Sequence, residues 1–589
     1  MKNEQGSTLI TVLLISLVFI TIGLTIASMT ITSTKQAEIR RIDVSTAAQS
    51  TDEMDRVIAD FTDSVTKLSL ADMSKGDYET KLQAITSGLE TKYTTTGSTQ
   101  TVLTITDITQ AKLGISNPQD YYTRYYNFQL QYVNNENSAQ PTLTNTSKRT
   151  MLLSPTPSFL QYAVGSEHTL NLNGASDITG NVYGNTVTLA NAARYANQLI
   201  TTNQTTPYFT LHETLYPSIK GSVVVDNEMD VYNNTTKQDG LPSTVINKQS
   251  LQATPANTAA NYFYEKSTPP MLQKSMGTFT TVDFPKTVAD KLNMLGIGLQ
   301  IKKTDIPLTT GTDAENQQKR SAIVQKILAT NSPSLCVVDN SKNPNDLFSS
   351  QALQGKKVVL LTNTAQTNGT NTYTIANNLT LAQNQWLVVD GNLDLSSSQS
   401  PLTIQGNILV LGNITIHGDP VSFSHTQDTM AFATTIYATG KATITSTNIV
   451  GSNNKMLVLL TQDDLLITRI NELTNATNQV PTMDGYFYTD HNAEMYGVGS
   501  LFHIHGGIFA KNELTINAIR QNSFGSITST DTVVNLPFDS RSDQIGQASR
   551  FVVNYDKSVL VNNVDALPFA TTLNVISDDA GTQTKGNGS

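Results

Sequence analysis

Cysteine is almost missing from this chain. Cys336 is the sole thiol in 589 residues, so no intramolecular disulfide framework and no cluster of thiolate metal ligands can form. Charge is scarce too. Asp, Glu, Lys and Arg make up 15% of the residues, against about 25% in ordinary domains, which excludes a charge-dense disordered tail and a charged coiled coil. The formal net charge is -10 and no basic run occurs. Duplex affinity rests on clustered Lys and Arg, so no nucleic-acid partner is expected. The phosphate-cradling P-loop, the Rossmann glycine fingerprint, the GxSxG elbow and HExxH are all lacking, as is an LPxTG-type sorting motif. What remains is rich in Thr, Asn, Gln and Ser with recurrent β-branched runs, the composition of extended β structure joined by polar loops.

The amino-terminal region departs from that composition. No charged residue occurs over 7–34, and the apolar stretch 9–31 forms a helix of about 35 Å, enough to cross a hydrocarbon core of about 30 Å. One membrane span is predicted. Ile26-Ala27-Ser28-Met29 is only a loose match to a signal-peptidase site, and the apolar run is long for a cleaved signal. Ile39, Ile42, Met54, Val57, Ile58, Phe61, Val65 and Leu68 then recur every three to four residues, so the helix should continue beyond the membrane with one apolar stripe. Lys35, Arg40 and Arg41 outnumber Lys2 and on a positive-inside count would hold the carboxyl side in the cell. That count weakens for long translocated domains, and the neutral, Thr/Asn-rich body reads as extracellular, so the amino terminus is placed inside.

The leader Met1-Lys2-Asn3-Glu4-Gln5-Gly6 stands directly before Ser7-Thr8-Leu9-Ile10-Thr11-Val12-Leu13-Leu14. This resembles the class III signal of type IV pilin-like proteins, in particular the PilX-type minor pilins. The resemblance implies that a prepilin peptidase cuts after Gly6 and that Ser7 becomes the methylated first mature residue. It also implies that other pilin subunits are met through the helix. Thr11 stands where most major pilins carry glutamate, whose carboxylate meets a neighbour's amino terminus in the filament core. A neutral threonine makes no charge-assisted bond there, which suits a subunit at a filament tip with nothing beyond it. A soluble body of this size points the same way, because it would crowd a tightly packed filament.

The rest of the chain predicts a mainly β protein with a long N-terminal α-helix and a parallel β-solenoid body, with β-sandwich domains as the alternative. A second amphipathic helix is marked by Tyr78, Leu82, Ile85 and Leu89. Alternating stretches at 102–105 and 125–133 follow, giving a small α/β head. Further on, Gly180-Asn181, Gly391-Asn392, Gly406-Asn407 and Gly412-Asn413 punctuate short apolar runs such as Leu402-Thr403-Ile404. Gly and Asn tolerate left-handed turns, and stacked coils of this kind bury one face of each strand. The expected organisation is a leader at 1–6, the membrane and amphipathic helix at 7–70, the head at 71–160 and first solenoid coils at 161–200. There follow an insertion subdomain at 201–350 with a helix over 313–330, the solenoid at 355–540, and a closing strand and polar tail at 541–589.

Side chains with chemistry are few. His503 and His505 flank Ile504 on one strand face, and Asp490-His491 lies upstream; two imidazoles with a carboxylate suit zinc or copper, although such a pair is more often a hydrogen-bonded surface feature. Asp390 and Asp394 flank Gly391 and would share one coil edge, where turn residues are the default. No catalytic residue, metal or cofactor is therefore assigned. The expectation is a non-enzymatic minor pilin or tip subunit, anchored in the cell membrane before assembly and then displayed on an extracellular pilus or the cell surface, where exposed Tyr and Asn of the insertion would meet a host or substrate surface. The alternatives are a single-pass surface adhesin outside any filament and a polysaccharide-acting solenoid enzyme.

Overall fold

The computed structural model describes residues 4–70, 73–96, 99–113, 122–134, 143–198, 208–232, 245–249, 260–274, 279–339, 353–363, 371–382, 385–397, 402–418, 429–468, 470, 483–522, 546–562, 566–570, 572–577 and 582–585. They form two compact units, one of 1–155 with 571–589 and one of 156–570.

The first unit is built on helix α1, Glu4–Thr66, 63 residues without a proline, or about 95 Å of unbroken rod. Its last turns carry Met54, Val57, Phe61 and Val65, all fully buried. Phe61 meets the rings of Tyr126 and Phe128 edge-on at 5.8 and 4.9 Å, a favoured geometry for aromatic pairs. Helix α2, Lys75–Tyr93, is capped by Ser74, whose hydroxyl accepts from the Asp77 amide, and it buries Tyr78, Leu82 and Leu89. An antiparallel sheet of β1 (Thr99–Asp107), β2 (Arg124–Asn134) and β3 (Leu143–Ser154) completes the core. The free edge of β3 is filled by Asn574–Ser577 and Thr582–Lys585, from the segment read as a polar tail. The whole second unit is therefore an insertion between two neighbouring strands of the head sheet.

That second unit is a parallel β-solenoid with three faces per coil. Trp386–Val389, Asn392–Ser396 and the start of Leu402–Val410 are successive faces of one coil, and each pairs in parallel with its counterpart in the next. Parallel stacking of this kind excludes the sandwich alternative, in which adjacent strands run antiparallel. Inward side chains such as Leu387, Leu393, Ile404, Ile408 and Ile414 form one continuous core. The Gly-Asn pairs make the corners. Gly391 has φ +130°, and a Cβ there would sit 2.3 Å from the Asn371 carbonyl oxygen, so no larger residue fits. Asn392 Oδ1 accepts from the Asn413 amide at 2.9 Å and Asn413 Oδ1 from the Lys441 amide at 2.8 Å, a ladder that repeats the same corner from coil to coil.

The order of coils is not the order of the chain. Coils run in sequence from Leu335–Asp339 to Phe502–Ala510 and Glu513–Ala518. Strand β4 (Val164–Gly174) then stacks on that last coil, with Ile508 beside Val164 and Leu514 beside Leu170. Val182–Ala190 and Ser222–Tyr232 continue outward. Residues expected to open the solenoid are thus found beyond its last sequential coil. The stretch 201–350 is not a separate subdomain among the described residues, because Ile219, Val223, Met229, Val231 and Val338 belong to the solenoid core. Its helices Phe284–Asn293 and Asp313–Ala329 lie on the outside; Phe284 approaches Tyr437 at 6.3 Å, and Ile323, Val324 and Ile327 are buried as the spacing predicts. The strand Phe551–Tyr555 pairs with Phe502–Ala510 and with Asp177–Thr179.

Candidate functional site

The most extensive unsatisfied surface is the front half of α1. Every large apolar side chain from Leu9 to Ile31 is exposed, from 49% to 69%, so about 20 residues of helix carry hydrocarbon on all sides. The polar residues in this stretch are turned inward on the backbone. Ser16 donates to the Val12 carbonyl, Thr21 to Leu17, Thr25 to Thr21 and Thr30 to Ile26, at 2.8 to 3.1 Å. A hydroxyl bonded to its own helix no longer needs water, which removes the main cost of placing it in an apolar medium. The next turns are charged and pair locally, Arg41 with Glu38 at 2.7 Å. The helix is thus suited to an apolar surrounding at one end and to its own head at the other. Gly6 and Ser7 lie on its first turns, and Thr11 is exposed on the apolar section.

The histidines and carboxylates singled out in the sequence do not converge. Ile504 points into the core and both flanking histidines point out, but their surroundings differ. His505 has Nδ1 3.3 Å from Asp484 and Nε2 3.8 Å from Asp556, whereas burial pushes the His503 imidazole pKa down. His491 belongs to another corner, with Nδ1 2.5 Å from Asp464 and 3.7 Å from Asp463. Burial alone would raise Asp464, yet the bonds and charges of His491 and Lys441 outweigh it and hold the carboxyl below its usual range. Asp463, Asp464 and His491 are the one group of metal-ligating type that meets within 4.8 Å among the described residues, and it is joined internally by hydrogen bonds. Asp490 faces Lys511 instead, at 2.9 Å.

Asp390 and Asp394 also separate. Asp390 accepts from Thr362 at 2.8 Å and is raised by burial against the opposing charge of Arg320. Asp394 lies 3.1 Å from His417 Nε2. Arg320 comes from the outer helix, 70 residues upstream of the coil it faces, and nothing in local spacing announced it. It lines a polar cleft of about 250 Å³ with Asn316, Asn392, Asn413 and Lys441. The meeting of Ser166 with Lys511 was missed for the same reason: the two are 345 residues apart in sequence, and only the stacking of β4 on the last coil lets the Ser166 hydroxyl donate to the Lys511 carbonyl.

The structure thus defines a class by its parts: a long helix with a bare apolar front half, a small α/β head, and a parallel β-solenoid inserted into that head's sheet. No protein-family model matches the chain, and neither a curated protein nor a solved structure does.

Proposed function

We propose that this chain is a membrane-anchored, non-enzymatic minor or tip subunit of a type IV pilus or related secretion filament. Its solenoid is held outside the cell for adhesion or filament initiation. The observation that carries the reading is the division of α1: its front half exposes apolar surface all round, while its rear half is locked into the head through Met54, Val57, Phe61 and Val65. A rod built this way has two environments open to it that cover 9–31, a bilayer and a bundle of like helices, and it passes from one to the other without remodelling its head. The leader ending in Gly6 and the Ser7 start supply the processing site of the resemblance. With Thr11 in place of the usual glutamate, the subunit offers no carboxylate to a neighbour's amino terminus, in keeping with a terminal position.

The test is mass spectrometry of the amino-terminal peptide of the protein taken from its native cells. A peptide beginning at Ser7, with or without a methyl group, is expected. A start at Met1 would overturn the filament reading and leave a single-pass surface protein, and a start near Ser28 or Met29 would mean a secreted one.

A further inference from the structure

One corner of the solenoid brings an imidazole and two carboxylates together from successive coils. Thr461 pairs with Thr489 before the corner and Leu465 with Ala493 after it, so Asp463 and Asp464 of one coil stack on His491 and Asn492 of its neighbour. His491 Nδ1 lies 2.5 Å from an Asp464 oxygen and 3.7 Å from an Asp463 oxygen, and the three ligating atoms all lie within 4.8 Å of one another. The backbone fixes their carriers. The Thr489 hydroxyl donates to the Asp463 carbonyl at 2.6 Å and accepts from the His491 amide at 3.0 Å, while the Asn512 amide donates to the His491 carbonyl at 3.0 Å. Lys441 Nζ stands 3.4 Å from Asp464 Oδ2, which leaves Oδ1 to the imidazole. The group is also open to solvent. Gly440 holds the matching position in the preceding coil, and a Cβ there would sit 2.1 Å from Asn413 Oδ1, so no side chain covers Asp463 from that position. Asp463 lines the polar cleft of about 250 Å³, and Asp464 a second groove of about 470 Å³ with Asn492 and Glu513.

We propose that Asp463, Asp464 and His491 bind one zinc ion, which clips two successive coils together and keeps a coordination position open to the cleft. One imidazole proton serves one carboxylate only, and two like charges that converge on the same nitrogen call for a cation. Zinc takes nitrogen and carboxylate ligands at about 2.0 to 2.2 Å, most often in a tetrahedron, which sets the ligand atoms roughly 3.3 Å apart. The observed 2.5 and 3.7 Å straddle that separation. All three side chains are partly exposed, and shifts of under about 1 Å admit the ion. On binding, the proton that Nδ1 shares with Asp464 leaves to solvent and the nitrogen lone pair bonds zinc in its place. The imidazole selects against calcium and magnesium, which are held by oxygen ligands. Three protein ligands leave the fourth position to water, reached through the cleft. The site stands on the solenoid alone and is independent of the filament reading.

The test is calorimetric titration of the full-length protein with zinc chloride, made without a histidine tag, extracted in detergent and stripped with EDTA. One equivalent is expected to bind, and about a hundredfold excess of calcium or magnesium is expected to leave the isotherm unchanged. His491→Ala, with an unchanged circular-dichroism spectrum, is expected to lose at least about a hundredfold in zinc affinity, since removing even a partner of a metal ligand typically costs about 10- to 100-fold. His505→Ala is expected to bind as the wild type does. Zinc is also expected to raise the thermal transition of the solenoid in the wild type and not in His491→Ala, because the ion binds the stacked coils and not the separated ones. Failure of the wild type to take up zinc overturns the proposal. So does full affinity in folded His491→Ala, which would place the ion elsewhere, or calcium that competes on equal terms. Zinc that binds here without moving the solenoid transition overturns the clip. If His491→Ala does not fold, Asp464→Asn keeps the shape and removes the charge, and wild-type affinity there refutes the site.

Discussion

Glu167 gives the folded protein a dependence on pH that runs opposite to that of most carboxylates. Its ordinary value of 4.5 is raised to about 7, first by burial. The folded state therefore holds this proton where an unfolded chain releases it, so stability is full below about 4.5 and is lost as pH rises through about 7. The shift corresponds to a loss of roughly 3 kcal/mol across that window. Thermal melts of detergent-solubilised wild type and Glu167→Gln between pH 4.5 and 8 should show the wild-type midpoint falling relative to the variant over the window. Asp60 acts in the reverse sense: bonds from Lys92 at 2.5 Å and Tyr93 at 2.6 Å hold its carboxyl down, so its contribution is present at neutral pH and disappears in acid.

At the scale of elements, α1 is the one described helix long and apolar enough to cross a membrane. The stretch 7–34 has no charge and the hydroxyls of Ser16, Thr21, Thr25 and Thr30 are bonded to backbone, so a charge near its middle has nowhere to hide. Ile20, 59% exposed, lies near the centre of the apolar stretch. Ile20→Arg should cost about 3 kcal/mol of insertion, lowering the share of protein retained in carbonate-washed membranes about a hundredfold relative to Ile20→Ala. As a long apolar helix this element was legible in the sequence, because a run of 23 uncharged apolar-rich residues is long enough to span a hydrocarbon core. The corners of the solenoid were legible for a similar reason: Gly391, Gly406 and Gly412 followed by Asn mark positions that other residues cannot occupy. The helix over 313–330 was legible from Ile323, Val324 and Ile327. Where Ser222–Tyr232 and Asn574–Ser577 go was not, since a short alternating strand reads alike in any sheet and its partner is chosen by shape elsewhere in the chain. The candidate sites suffered most. His503, His505, His491 and Asp490 looked like one cluster along the chain, but His505, His491 and Asp490 each face a different neighbour on an adjacent coil, and coil register is invisible to local spacing.

As a whole molecule the protein is a head whose sheet is interrupted, between β3 and Asn574–Ser577, by a body with its own core. Two cooperative units should therefore unfold separately. Scanning calorimetry of the full chain is expected to show two transitions. Deleting 571–589 removes Leu573 from the head core and the strand beside β3, and should lower the head transition by about 10 °C, equivalent to roughly 2 kcal/mol in a domain of that size, while leaving that of the solenoid in place. A single transition, or a matching fall in both, would mean that the two units fold as one.

The stacking of β4 on the final sequential coil has a consequence in time. Asn173 finds its ladder partner in Asn517, which the ribosome adds 344 residues later, a wait of roughly 20 to 70 s at about 5 to 20 residues per second. Until then the apolar faces of 164–190 have no floor beneath them. Premature arrest of translation anywhere before Phe502 therefore leaves those faces uncovered and open to aggregation or degradation.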